Sequence, residues 1–325
     1  MSEHAGRVCP IRYRYGAEAI ARLPEIESET LYVVGGLYGN VPALDAIEAM
    51  AVAEAGPVSL IFNGDFNWFN IDDAGFEHIN RRVLSHHAIL GNVEAELGTD
   101  GNEAGCGCAY PDHVDSAVVE RSNRIHQRLK QTAAQHPQLL AQLQQLPMIA
   151  RFVVGGLRIG VVHGDADTLA GWRFDAAALS EQENQAWITD AFNRAGVDVF
   201  ASTHTCLPAL HRFGSGLVAN NGAAGMPNFK GLRFGLLTRI STRQTPFKAV
   251  YGEQQRGVYV DAVPVHYDHE AWLEHFMANW PTGSDAWASY FHRIQNGPKH
   301  GIDDALRGFD QANIRPEILS TCWQE

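Results

Sequence analysis

Four short polar segments carry side chains able to hold a cation: NGD (63–65), GNVE (91–94), HGD (163–165) and THTC (203–206). Each follows an apolar run directly, so each stands where a strand would end. An aspartate, an asparagine amide oxygen and two imidazoles suit a borderline or hard divalent ion, and Cys206 adds a soft thiol. A single Gly-Asp or His-Gly pair is ordinary turn chemistry. Four such segments in succession, all at one kind of position, point instead to a shared site at the carboxyl ends of strands. NNGAAGMPNF (220–229) adds a Gly-rich turn after another apolar run.

Further residues are candidates for ligand contact. Cys106 and Cys108 lie one residue apart in a long Gly/Asp/Cys loop, 97–112. With Cys206 they could form a soft thiolate site, the glycine between them letting the backbone wrap closely. In HGDADTLAGWRF, Asp165, Trp172 and Arg173 follow His163, and an aromatic with an arginine suits a nucleotide's base and phosphate. Arg121, Arg124 and Arg128 recur at near-helical spacing and read as a solvated helix face. By contrast LYVVGGLYGN (31–40) has the punctuation of a ligand-binding loop but offers only Gly36, Leu37 and Tyr38 between strand and turn.

The elements that must position these residues alternate early and then run together. Strands are expected at 30–36, 58–64, 86–92, 148–156, 157–164, 198–204, 216–222 and 234–241, with KAVYGE and 258–265 as further candidates. Helical patterns lie at 42–55, 113–135, 137–146, 180–196 and 268–280. Helices between strands imply parallel pairing and directly successive strands imply hairpins, so mixed sheets follow. Residues 1–27 read as an N-terminal arm, 28–265 as the main domain and 266–325 as a C-terminal helical extension.

With 325 residues, 45% hydrophobic and 19% charged, the composition is that of a globular protein with a large core. A formal net charge of −12 and the lack of a basic run interleaved with aromatics argue against nucleic-acid duplex as a partner. An acidic chain acting on a phosphorylated molecule would want a cation to offset repulsion. The apolar runs are too short to span a bilayer, the N-terminus has no apolar signal core, and five cysteines form no disulfide framework. The expectation is a cytoplasmic location with no membrane partner.

In order and spacing, across roughly residues 30 to 250, these motifs resemble the calcineurin-like metallophosphoesterases. That family runs through Asp-x-His, Gly-Asp, Gly-Asn-His-Asp/Glu, an isolated His and Gly-His-x-His, and GNVPAL looks like its continuation after the first motif. The resemblance implies a four-layer α/β/β/α sandwich of two mixed sheets. It also implies two metal ions bridged by the aspartate matching Asp65. One ion's remaining ligands match Asn92, His163 and His204, which are all present. The other's match Gly36, Tyr38 and Cys206, which have replaced an Asp and two His. The histidine of Gly-Asn-His is Val93, which can move no proton, and Glu94 stands where the family has an acid that orients a ligand.

The resemblance therefore implies one retained divalent ion (Mn, Zn or Fe) and hydrolysis of a phosphomonoester or phosphodiester by metal-bound hydroxide. Asp65, Asn92, His163 and His204 would carry the chemistry, with Tyr38, Asp165, Trp172 and Arg173 contacting a small phosphorylated molecule such as a nucleotide. Two rival expectations are an inactive metal- or nucleotide-binding accessory protein, and a thiolate site for a soft metal or metalloid.

Overall fold

A computed structural model describes residues 5–99 and 104–307. The strands are β1 (Ile26–Glu27), β2 (Thr30–Val34), β3 (Val58–Asn63), β4 (His87–Ile89), β5 (Ile149–Val154) and β6 (Leu157–Val162). They continue with β7 (Val199–Ser202), β8 (Pro208–Phe213), β9 (Gly216–Asn221), β10 (Gly235–Ser241), β11 (Tyr251–Gln255) and β12 (Val258–Val265). The principal helices are α1 (Ala17–Ala21), α2 (Val41–Ala53), α3 (Asp73–Val83), α4 (Asn92–Leu97), α5 (Ser116–Ala133), α6 (Pro137–Leu143), α7 (Gln182–Ala195), α8 (His269–Asn279) and α9 (Asp285–Asn296).

Among the described residues these strands make two six-stranded sheets, ordered β11-β12-β10-β2-β3-β4 and β1-β5-β6-β7-β9-β8. Within the first, β2, β3 and β4 are parallel while β10, β12 and β11 add antiparallel. In the second, β6, β7 and β9 are parallel, and β5/β6 and β8/β9 are antiparallel pairs.

Strand alternation sorts the apolar residues into layers. Leu31, Val33, Ile61 and Ile89 face inward and pack with Phe152, Ile159, Val161, Val199 and Leu217 of the opposite sheet. Tyr32, Val34, Leu60 and Phe62 face outward, against α2, α3, α5, α8 and α9. On the far side Val162, Phe200 and Val218 meet α1 and α7. The result is the four-layer sandwich of two mixed sheets implied by the resemblance.

Helix starts are set by capping side chains: Asn40, Asp72, Asp115 and Asp268 each accept a backbone N–H in the first turn. The Gly39-Asn40 turn is thus the N-cap of α2. Sequence periodicity missed β1, β8, α3 and α4. β8 opens on a proline and carries His211 and Arg212, and α4 is a short turn inside the GNVE segment.

The C-terminal helices are seated in the molecule. Trp272, Phe276 and Trp280 pack around Phe69, and Trp280 donates its indole N–H to the Phe69 carbonyl at 3.0 Å. Arg124 and Arg128 lie exposed, as a solvated face would, while Arg121 is half-buried; Arg121 and Arg124 also reach α9, through Ser289 at 2.7 Å and Asp285 at 2.7 Å. Parts of the 97–112 loop, the N-terminal arm and the C-terminal extension lie outside the described residues. No helix among the described residues is long and apolar enough to cross a membrane.

Candidate metal centre

The parallel strands of both sheets end on one edge, and their loops converge there. Asp65 follows β3, Asn92 follows β4, His163 follows β6 and His204 follows β7. The first pair belongs to one sheet and the second to the other. Backbone N–H groups of Thr203 and His204 donate to the His163 carbonyl at 3.1 Å each, locking the two histidine loops together.

His163 Nε2 lies 3.1 Å from Asn92 Oδ1, 3.4 Å from Asp65 Oδ1 and 3.2 Å from His204 Nδ1. Ligand atoms of Asp65, His163 and His204 all fall within 4.8 Å of one another. Each ring's other nitrogen donates to a backbone carbonyl: His163 Nδ1 to Asn63 at 2.8 Å and His204 Nε2 to Cys108 at 3.1 Å. Those bonds fix the tautomers and leave His163 Nε2 and His204 Nδ1 as lone-pair donors toward one point. The Asn92 amide donates to the Cys106 carbonyl at 2.9 Å, which turns its oxygen to the same point.

A cluster of facing acceptors with no donor among them is unfavourable unless a cation or proton sits between. The donor set therefore fits a divalent cation held by Asp65, Asn92, His163 and His204. Burial penalises a charge on His163, but Asp65 beside it raises its pKa above the ordinary value, so a proton or a cation is drawn between the two. Burial opposes charge on Asp65, but His163 and His204 hold its carboxyl below the ordinary range. Burial, aided by the charge of His163, pushes His204 down to about 3, keeping it neutral.

Glu94 organises the loop that carries Asp65. Its carboxylate accepts the backbone N–H of Asp65 at 2.8 Å, Phe66 at 3.1 Å, Asn67 at 3.2 Å and Gly91 at 3.3 Å. Asp65 itself sits at φ 54°, a left-handed conformation that an L-residue keeps only when its surroundings impose it. A Cβ at Gly91 would stand 2.2 Å from Asp65 Oδ1, so only glycine lets the two loops approach this closely.

Beside the retained ligands, the positions matching a second ion's ligands are filled differently. The Tyr38 ring lies over Gly36, where a Cβ would come within 2.9 Å of the Tyr38 Cζ and Oη. Its hydroxyl pairs with Cys206 Sγ at 2.8 Å. Gly36, Tyr38 and Cys206 all have positive φ.

A cleft of about 150 Å³ opens over the cluster, lined by Asp65, Asn92, Val93, His204 and Cys206 together with Tyr38, Trp68, Cys108, Tyr110, Trp172, Tyr290 and Arg293. Trp172 packs edge-on to His204 with centroids 5.3 Å apart and donates its indole N–H to the Cys108 carbonyl at 3.0 Å.

Neither a protein-family model nor a curated protein matches the sequence. Solved structures do match in shape. A metallophosphoesterase from Sphaerobacter thermophilus superposes with a TM-score of 0.52 at 16% identity, covering 83% of this chain and all (100%) of its own. A hypothetical protein from Pyrococcus horikoshii OT3 gives a TM-score of 0.55 at 13% identity over 85% of this chain and 100% of its own.

The fold is that of the metallophosphoesterases.

At such identities likeness establishes the fold, and the site stands on this chain's own atoms. Within this metallophosphoesterase fold Asp65, Asn92, His163 and His204 come together as expected, with Glu94 bracing them from behind. Tyr38 and Trp172 line the cleft. Other expectations need correction. Cys106 and Cys108 are bonded to each other, and Cys206 is engaged by Tyr38, so the three do not form a thiolate metal site. Asp165 turns away from the cleft, its carboxylate taking the backbone N–H of Asp167 at 3.0 Å and Thr168 at 3.1 Å. Arg173 lies over the Trp187 ring at 4.7 Å and does not reach the cleft.

Sequence reasoning missed Trp68, Tyr110, Tyr290 and Arg293. Trp68 and Tyr110 were accessible, being three residues beyond Asp65 and two beyond Cys108. Nothing in the sequence placed α9, with Tyr290 and Arg293, at the mouth of the cleft.

Proposed function

We propose that this chain is a metal-dependent phosphoester hydrolase acting with a single divalent cation held by Asp65, Asn92, His163 and His204. The observation that carries the reading is the convergence of four lone-pair donors whose imidazole tautomers are fixed by the carbonyls of Asn63 and Cys108. When bound, a divalent cation supplies Lewis acidity toward a phosphoryl oxygen and acidifies water for attack at neutral pH.

The chain's own residues define the rest. Asp65 supplies the anionic ligand, and Glu94 holds its loop in place. Trp172, Trp68 and Tyr110 wall the cleft and keep bulk water from one side of the reacting group. Val93 stands where a proton donor to the leaving oxygen would be, and it offers none. The favoured substrates are therefore small phosphorylated molecules, phosphomonoester or phosphodiester, whose leaving oxygen departs without protonation.

A test is hydrolysis of p-nitrophenyl phosphate and bis-p-nitrophenyl phosphate by the Mn²⁺-loaded protein, with His204→Ala as control. The expected result is turnover that falls at least about 100-fold in the variant and slows steeply as the leaving phenol becomes less acidic. Activity unchanged by the substitution would remove the assigned site. Stoichiometric Mn²⁺ binding without turnover of either ester would favour a metal-binding accessory protein, a reading supported by Val93 and by the tyrosine packed into the neighbouring place.

A further inference from the structure

The place beside the retained cluster has lost every strong cation ligand, yet phosphoester chemistry at an acidic protein still needs positive charge there. Among the described residues one cationic side chain reaches it. Arg293, from α9, lines the cleft next to Cys206. Its Nη2 donates to the Cys206 carbonyl at 2.5 Å and its Nε to the Pro227 carbonyl at 3.4 Å. Among the described residues Nη1 has no acceptor and no carboxylate pairs with the guanidinium. Most surface arginines of this chain do find an acid, as Arg82, Arg124 and Arg194 do. Arg293 is thus a half-buried, positioned cation whose charge no acid of the described residues neutralises.

Its placement is built rather than incidental. α9 is tied to α5 by Arg121 on Ser289 and Arg124 on Asp285. One turn before Arg293, Tyr290 packs edge-on to Phe69, with centroids 4.9 Å apart. Tyr38 closes the pit over Gly36, so an anion entering from the cleft meets the guanidinium and not an empty ligand shell. With Nη2 and Nε each turned to a carbonyl, the planar guanidinium is held in one orientation and the N–H groups of Nη1 are left to donate to phosphoryl oxygen.

We propose that Arg293 is the substrate-anchoring residue of this site, its guanidinium taking the phosphoryl group of the ligand in the place where a second cation's ligands have been replaced. The inference rests on the single-cation reading above. Arg293 orients the phosphoryl group against the retained cluster, and the C-terminal helices are required for substrate binding through this one side chain.

Inorganic phosphate is the probe. Its affinity for the full chain is measured by calorimetry with and without saturating Mn²⁺, for wild type, Arg293→Met, Arg293→Lys and, as a control on α9 docking, Arg124→Ala. Mn²⁺ stoichiometry and thermal midpoint are recorded for each. Arg293→Met should bind phosphate about 10- to 100-fold more weakly with unchanged Mn²⁺ binding. Arg293→Lys should recover part of that loss, and Arg124→Ala should incur none of it, because Arg121 on Ser289 and Tyr290 against Phe69 still seat α9. In turnover assays Arg293→Met should raise KM more than it lowers kcat. Phosphate affinity equal to wild type in Arg293→Met, or equal losses in Arg293→Met and Arg124→Ala, would overturn the anchor while leaving the metal site standing. Phosphate binding by neither wild-type form would overturn it as well. Failure of Mn²⁺ to bind, with phosphate still bound through Arg293, would instead sink the single-cation reading and keep the anchor.

Discussion

The two halves of this strand-end site have opposite construction. In the retained half, side chains are held off one another around a common point, and carbonyls or amides fix every orientation. In the other half, side chains have closed together: Tyr38 over Gly36, its hydroxyl on Cys206. The comparison teaches that the replacements form one packing unit. Gly36 admits the tyrosine ring, the ring covers the space an aspartate would need, and Cys206 pairs with the hydroxyl. No single reversion restores a ligand set.

Removing a ligand from the retained half should have the largest effect. His163→Ala leaves three donors and unsatisfied acceptors, and Mn²⁺ affinity should fall more than about 100-fold, read by calorimetry or elemental analysis. Rebuilding the closed half is the complementary experiment. Gly36→Asp alone should destabilise the fold by about 1–3 kcal/mol, because it meets the Tyr38 ring and an L-residue is strained at φ 65°. Combined with Tyr38→His and Cys206→His it should raise metal stoichiometry from one to two per chain. A triple variant that still binds one ion would mean the backbone, and not the side chains, keeps the second place shut.

A subtler break is Glu94→Gln, which keeps shape but replaces one acceptor oxygen with a donor facing backbone N–H groups. Metal affinity should drop about 10-fold, with Asp65 still present. The effect that is smallest at neutral pH is on acid stability. His126 donates Nε2–H to the Val93 carbonyl at 2.9 Å, next to the Asp65 loop, and burial pushes its pKa down to about 4. Below the ordinary pKa near 6.5 the unfolded chain takes up a proton that the folded chain refuses until about pH 4. Stability from this group is therefore lost as pH falls through that window, by up to about 1.4 kcal/mol per pH unit. His126→Gln should flatten the slope of unfolding free energy against pH by up to that amount between about pH 4 and 6.5, read by denaturant titration.

Much of the retained half was legible because its ligands sit directly after apolar runs, where local patterning places them. Gly36, Tyr38 and Cys206 were legible as departures, but the packing that joins them was not. The mouth of the cleft was hidden for a different reason. Arg121 and Arg124 have the spacing of a solvated face, and nothing in that spacing tells that they pair with Ser289 and Asp285 on the helix that carries Arg293. Contacts across 160 or more residues leave no periodic trace. The Cys106–Cys108 bond was equally silent, since a Cys-Gly-Cys triplet serves a metal loop as readily as a disulfide.

The division of the ligands between the sheets has a consequence for the life of the whole chain. Asp65 and Asn92 leave one sheet, His163 and His204 the other. A cation bound among them is a clasp across the sandwich, available only after both sheets have met. At a free concentration of 100 times its Kd such an ion would add about 2.7 kcal/mol to global stability. Chelation should therefore lower the melting temperature of both sheets together, and recovery of metal binding during refolding should report the final closure of one layer on the other.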